Sequence, residues 1–215
     1  MRESLEAKKA RVLEIIKIFE EEYSEADCTL EYDDVLQLLI STQLAAQCTD
    51  ARVNIVTKDL YQKYTDVYAF ANADELELQN DIRATGFFRN KARNIIGCCK
   101  MLIEKYDGKV PEAMEDLLQL PGVGRKTANL VRGDYFKIPG VVVDTHATRL
   151  SNKLGLTKNK EPYKIEQDLM KVVPKEYWTS FCHQLVYHGR AYCNARSPKC
   201  AICPIAHLCP QMTEK

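Results

Sequence analysis

No run of about 18 apolar residues occurs in this 215-residue chain, so no membrane-spanning helix is expected. The opening residues, Met1-Arg2-Glu3-Ser4-Leu5-Glu6, lack an apolar stretch of signal-peptide length, and a cytosolic protein is expected. Strand signals are nearly absent: only Val141-Val142-Val143 reads as β-like, and three residues do not make a sheet. There is no internal repeat and no low-complexity segment. Histidine is scarce, and His146, His183, His188 and His207 show no metal-ligand spacing. Net charge is also missing, because 30 Lys and Arg balance 30 Asp and Glu. Disorder is excluded from the other side, since 46% of residues are hydrophobic and a packed core is affordable at this length.

What fills the chain is helical periodicity. Residues 4–22 place Val12, Ile15, Ile16 and Phe19 on one stripe and end in Glu20-Glu21-Glu22. Asp33 is positioned to cap an apolar helix over 35–43, and Asp50 to cap the next, with Val53, Val56, Leu60, Tyr61 and Tyr64 on one face. Residues 66–71 and 74–83 read as short helices. Over 89–106, Ala92, Ile95, Ile96, Cys99, Leu102, Ile103 and Tyr106 recur at threes and fours, and Gly108 stops the run. Pro111 opens a helix to Leu120; further helices are expected over 125–135, from Asp144 or Thr145 to about 154, over 162–173 and over 175–191. The fold class is all-α.

The zero net charge hides an uneven distribution. Residues 1–82 hold 8 Lys and Arg against 18 Asp and Glu, whereas residues 83–137 and 138–215 each hold 11 against 6. A polyanion responds to local potential rather than to the total, although basic residues also form ordinary solvated helix faces. The basic segments carry the two densest motifs. The first is Leu120-Pro121-Gly122-Val123-Gly124-Arg125-Lys126-Thr127, with Asp144 18 residues beyond Lys126. A Gly-x-Gly turn opening a helix offers bare N–H groups and the positive end of a helix dipole to a phosphate. It also serves as a plain packing corner, with glycines permitting unusual backbone angles. A P-loop does not fit, since Arg125 separates Gly124 from Lys126 and the preceding segment is helical. Lys126 is either a phosphate contact or a nucleophile. Attack requires a neutral amine, which burial, the helix N-terminus and Arg125 would each favour. Asp144 reads as a helix cap, a role compatible with catalysis.

The second motif is Cys193, Cys200, Cys203 and Cys209, spaced C-x6-C-x2-C-x5-C in a stretch poor in apolar residues. The other five cysteines, Cys28, Cys48, Cys98, Cys99 and Cys182, sit in apolar helical stretches and read as small core residues. Four thiolates suit zinc or an iron–sulfur cluster; structural zinc sites use two close pairs, and here only Cys200 and Cys203 are close.

Taken in order, Leu44-Ala45-Ala46-Gln47-Cys48-Thr49-Asp50, residues 120–128, Val143-Asp144-Thr145-His146 and the four cysteines resemble the endonuclease III group of DNA glycosylase/AP lyases over nearly the whole chain. The resemblance implies two α-helical domains flanking a cleft that grips DNA. Residues 28–138 would be a six-helix domain ending in a helix-hairpin-helix, and 1–27 with 139–215 a domain holding a [4Fe–4S] cluster on the four cysteines. It implies removal of damaged pyrimidines and strand cleavage 3′ to the abasic site, with Lys126 attacking the sugar C1′ to form a Schiff base and Asp144 assisting. Gln47 would fill the gap left by the flipped nucleotide, and Phe87 would be an apolar wedge on the opposite strand, where leucine is commoner. Asp50 would orient local backbone or cap a helix. Gly122, Val123, Gly124, Arg125 and Thr127 would hold the DNA backbone, as would Arg196 and Lys199 in the cysteine loop. The implied partner is double-stranded DNA bearing damaged bases or abasic sites, bound by a monomer in a prokaryotic cytoplasm. Two other readings remain: a monofunctional adenine- or thymine-mismatch glycosylase, and a non-catalytic hairpin DNA-binding module. Residues 35–49 contain no carboxylate, where the adenine branch uses a glutamate, and Lys126 speaks against the thymine branch.

Overall fold

The computed structural model describes residues 3–213. Among them all regular elements are helical, and Val141, Val142 and Val143 lie buried in an irregular connection. The chain divides into two compact units, Cys28–Ile138 and the pair of segments Met1–Asp27 and Pro139–Lys215. Residues 1–2 and 214–215, at the ends of the expected cluster domain, lie outside the described residues. No helix among the described residues is long and apolar enough to cross a membrane.

The first helix, α1 (Leu5–Glu22), belongs to the split unit. Ser4 caps it by accepting a hydrogen bond from the Ala7 N–H at 3.1 Å. Val12, Ile15, Ile16 and Phe19 are fully buried along the expected stripe, each contributing about 1.5–3 kcal/mol through lost water contact.

The continuous unit starts with α2 (Val35–Leu44), in which Leu38 to Leu44 are all buried. Its cap is Asp34 rather than Asp33. The Asp34 carboxylate accepts from the Gln37 N–H, and the Gln37 side chain returns to the Asp33 N–H, each at 2.8 Å. One residue of displacement lets two end groups be satisfied together. Likewise Thr49, not Asp50, caps α3 (Asp50–Lys63); the Asp50 carboxylate instead accepts the Thr29 hydroxyl. Asp66 and Asp74 cap α4 (Val67–Ala71) and α5 (Glu75–Asp81), and a 3₁₀ turn, Arg83–Thr85, leads into α6 (Phe88–Tyr106). That helix ends on left-handed Asp107 and Gly108, with the Gly108 N–H reaching back to the Leu102 carbonyl at 2.9 Å.

The helix expected over 111–120 shrinks to α7 (Met114–Leu117). Arg132 Nε takes the Glu112 carbonyl at 3.0 Å, and Gln119 and Leu120 make tight three-residue turns instead of helical bonds. The last helix of this unit is α8 (Arg125–Asp134), packed against α2. Seven α-helices thus occur among the described residues of 28–138, as many as the periodicity marks and one more than the resemblance implies; α4 and α7 are single turns or little more.

The chain then completes the split unit with α9 (Thr145–Lys153), α10 (Pro162–Val172), α11 (Trp178–Ala191) and the terminal turn α12 (Pro210–Thr213). The expected start of α11 at 175 is a 3₁₀ turn, Lys175–Tyr177. α9 packs on α11, and α1 packs on α10 and α11, where the Phe19 and Phe181 rings stack at 6.1 Å.

Candidate active site and cysteine centre

The hairpin glycines have different reasons to be glycine. Gly122 has φ of 77°, and a Cβ there would stand 2.5 Å from Gln43 Oε1 and 2.9 Å from Asn94 Cβ. Both its backbone angle and its neighbours exclude a side chain. Gly124 has an ordinary φ of −101°, and a Cβ there would meet nothing within 4 Å. Nothing inside the protein requires glycine at 124; what it keeps clear is the space in front of α8. With Gly124 at the cap position, no side chain caps the first N–H groups of that helix. This is the arrangement that receives an anion.

Lys126, in the first turn of α8, is exposed, and Arg125 is half-buried. The expected burial of Lys126 is therefore absent. Thr127, Ala128, Asn129 and Val131 occupy the inward face of α8, and residue 126 falls on the outward one. Thr127 is buried on the inward face of α8. The Val123 side chain is also buried, and its N–H donates to the Leu120 carbonyl at 3.1 Å.

Gln47 and Phe87 are both exposed on short connections, and both have left-handed backbones, with φ of 55° and 48°. Phe87 is 63% exposed, unusual for so large an apolar ring. Asp144 caps α9: its Oδ1 accepts from the Ala147 N–H at 2.7 Å, which holds the half-buried carboxylate in one orientation. Two residues on, burial lowers the pKa of His146, with Asp144 opposing and Arg149 and Arg190 reinforcing the shift.

All nine cysteines are unbridged. Cys98, Cys99 and Cys182 are core residues as expected, whereas Cys28 and Cys48 are only partly buried. Cys193, Cys200, Cys203 and Cys209 line one cavity of about 190 Å3, with Leu150, Leu154 and Ile205 on its walls. The loop is tied down by the Lys199 N–H to the Tyr192 carbonyl at 2.8 Å and by Arg149 Nη2 to the Cys193 carbonyl at 3.2 Å. Arg196 and Lys199 are exposed on it.

Two family models match the chain: the HhH-GPD superfamily base excision DNA repair protein over residues 40–175, and the iron-sulfur binding domain of endonuclease III over residues 193–209. Endonuclease III of Synechocystis sp. is 53% identical over 205 residues, which is 95% of this chain and 94% of that protein. A solved non-covalent endonuclease III–DNA complex is similar with a TM-score of 0.91 at 42% identity, covering 96% of this chain and 97% of that one. A trapped endonuclease III–DNA covalent intermediate matches with the same values. The chain belongs to the endonuclease III family.

For an endonuclease III family member the cysteine cavity should suit an iron–sulfur cluster, and its lining does: four unbridged cysteines face one cavity, one thiol for each iron of a four-iron cluster. Burial raises the pKa of the Cys193 and Cys203 thiols, against the opposing pull of Lys153 and Arg149 on the first and of the Ile205 backbone on the second.

Two residues of this centre and hairpin unit escape sequence reading. His188 is buried, with Nε2 at 3.5 Å from Cys203 Sγ and Nδ1 at 2.9 Å from Tyr23 Oη. Lys91 is a lysine only 6% exposed, whose Nζ donates to the Leu44 carbonyl at 2.7 Å and the Thr85 carbonyl at 2.8 Å. Burial holds the Lys91 pKa below the usual lysine range. A Cys-His proximity and a lysine inside an otherwise clean apolar stripe were the only signals available for either.

Proposed function

We propose that the protein is a base-excision repair enzyme, a DNA glycosylase and abasic-site lyase acting on oxidised or damaged pyrimidines in double-stranded DNA. The observation that carries this reading is the chain-long likeness to endonuclease III, including a relative trapped covalently on DNA. Lys126 supplies the nucleophile. Its Nζ bonds to the sugar C1′ as the C1′–N bond to the base breaks; the electron pair leaves with the base, which takes up a proton. Ring opening leaves an iminium between Nζ and C1′. Loss of a C2′ proton and departure of the 3′ phosphate then cut the strand, and water releases the enzyme. Asp144, fixed by its capping bond, stabilises positive charge developing on the sugar and handles the protons.

The amine must shed its proton before it attacks. Lys126 is exposed in the free protein, so its desolvation falls to the bound duplex, with the α8 N-terminus and Arg125 acting alongside. Gly124 leaves the α8 N–H groups clear for a phosphate, and Gln47 and Phe87 fill and brace the gap after nucleotide flipping. Arg196 and Lys199 stand exposed for phosphate contact. Cys193, Cys200, Cys203 and Cys209 would hold a [4Fe–4S] cluster, which supplies the cross-link that a loop so poor in apolar residues lacks. The protein works as a monomer in the cytoplasm, where thiols stay reduced.

The test is covalent capture. Incubated with an abasic-site duplex and borohydride, the wild type forms an adduct and Lys126→Ala forms none. An adduct with the alanine variant would place the nucleophile elsewhere, and base release without nicking would move the assignment to the monofunctional branches.

A further inference from the structure

Four non-glycine residues with left-handed backbone occur among the described residues: Gln47, Phe87, Asp107 and Lys137. Asp107 and Lys137 close helices, and the residue after each donates a backbone bond back into the helix. Phe87 stands at the other end of a helix, before α6, where an extended backbone is usual. Each such residue costs on the order of 1–2 kcal/mol, so the Gln47 and Phe87 conformations persist only because something holds them.

Lys91 is placed to hold both. Its ammonium lies in the interior and is satisfied by carbonyls rather than by a carboxylate. Leu44 ends α2, three residues before Gln47; Thr85 ends the 3₁₀ turn, two residues before Phe87. Both carbonyls sit at the negative ends of helical segments, where a cation binds well. Charge-assisted bonds are the stronger kind. The Lys91 N–H donates to the Phe87 carbonyl at 3.1 Å as the first backbone bond of α6, which sets the ammonium one turn from Phe87.

We propose that Lys91 is a positioning residue that locks the Gln47 and Phe87 loops in one register, so that the two side chains enter a damaged duplex as a pair. The proposal rests on the reading of Gln47 as gap filler and Phe87 as wedge. It predicts that losing the ammonium uncouples the two loops while leaving the hairpin, Lys126 and Asp144 in place. Flipping from a duplex then suffers, and attack on a sugar already unstacked does not.

The experiment compares two rates in Lys91→Met, whose side chain has similar length and no donor. One is nucleotide flipping, followed by 2-aminopurine fluorescence beside the lesion in a duplex. The other is borohydride capture on a single-stranded abasic oligonucleotide, which needs no wedge. The ratio of duplex to single-strand rate is expected to fall by about 100-fold, the scale of a misplacement of about an ångström. If both rates fall together, Lys91 is structural only, and the proposal is overturned; an unchanged ratio overturns it too. Should Lys91→Met not fold, Lys91→Arg keeps the charge with a different shape, and its ratio should fall about tenfold, between wild type and complete loss. Gln47→Ala and Phe87→Ala separate the two ideas. If they flip like wild type, the wedge reading fails whatever Lys91 does; if they are slow and the Lys91 variants are not, only the clamp fails.

Discussion

Alanine at Gly122 and alanine at Gly124 should damage different properties, although the two sites are two residues apart. At 122 the new Cβ meets Gln43 Oε1 at 2.5 Å and Asn94 Cβ at 2.9 Å, on a backbone with φ of 77°. A left-handed alanine costs roughly 1–2 kcal/mol. Forcing a methyl against packed neighbours costs about 1–3 kcal/mol more. The sum, about 2–5 kcal/mol, corresponds to a fall in Tm of roughly 4–20 °C for a chain of this length. At 124, φ is −101° and nothing lies within 4 Å of the new methyl. Stiffening of the unfolded chain favours alanine by about 0.4–1 kcal/mol. Glycine's advantage over alanine as a helix cap opposes this by a similar amount, so stability should barely move.

Binding should respond in the opposite order. The methyl at 124 stands in front of the uncapped N–H groups of α8, where the phosphate is to sit. Losing one hydrogen bond to a charged group is worth about 1.5–3 kcal/mol, or roughly 10–100-fold in Kd. The assay pairs thermal unfolding by circular dichroism with the Kd for a duplex carrying an uncleavable abasic analogue, at one fixed salt concentration. If Gly124→Ala binds like the wild type, the hairpin is a packing corner and the phosphate argument is wrong. If Gly122→Ala unfolds like the wild type, the account of its neighbours is wrong.

Asp144→Asn should retain the α9 cap and most stability yet lose turnover, whereas Asp144→Ala should lose turnover and about 1 kcal/mol of stability; unfolding and single-turnover rates measured together separate the two roles. The purified protein should show a broad absorbance near ~400 nm, and Cys203→Ala should lose it along with thermal stability of the split unit; zinc content in place of that absorbance would refute the cluster. Burial pushes the Asp168 carboxyl up, but donors from Thr157 and Asn159, each at 2.6 Å, and from Lys171 outweigh this and hold its pKa below the usual aspartate range. A depressed carboxyl contributes stability above its unfolded pKa of about 3.9, and that contribution drains away as pH falls through the lower folded value. The difference in unfolding free energy between the wild type and Asp168→Asn should therefore shrink between about pH 4 and pH 2, and a flat difference would refute the assignment.

What was legible in the sequence, and what was not, follows the range of the interactions. The stripe in α1, the Asp144 cap and the Gly108 stop of α6 are settled by residues within a turn of one another, and they stand where the pattern puts them, whereas the caps expected at Asp33 and Asp50 fall one residue away, at Asp34 and Thr49. The cysteine spacing is equally local. By contrast, the shortened α7 depends on Arg132, 20 residues beyond Glu112, and the use of Lys91 depends on Leu44, 47 residues before it. Neither partner leaves a mark in the local pattern. Lys126 shows the same limit at the site itself. Periodicity puts it in the first turn of α8, but its outward direction follows from Thr127, Ala128 and Val131 taking the face that meets the rest of the unit. A lysine on the outward face is left open to water by its own fold. If Lys126 is the nucleophile, water must be stripped from it by the DNA, and the amine becomes reactive only where there is a sugar to attack.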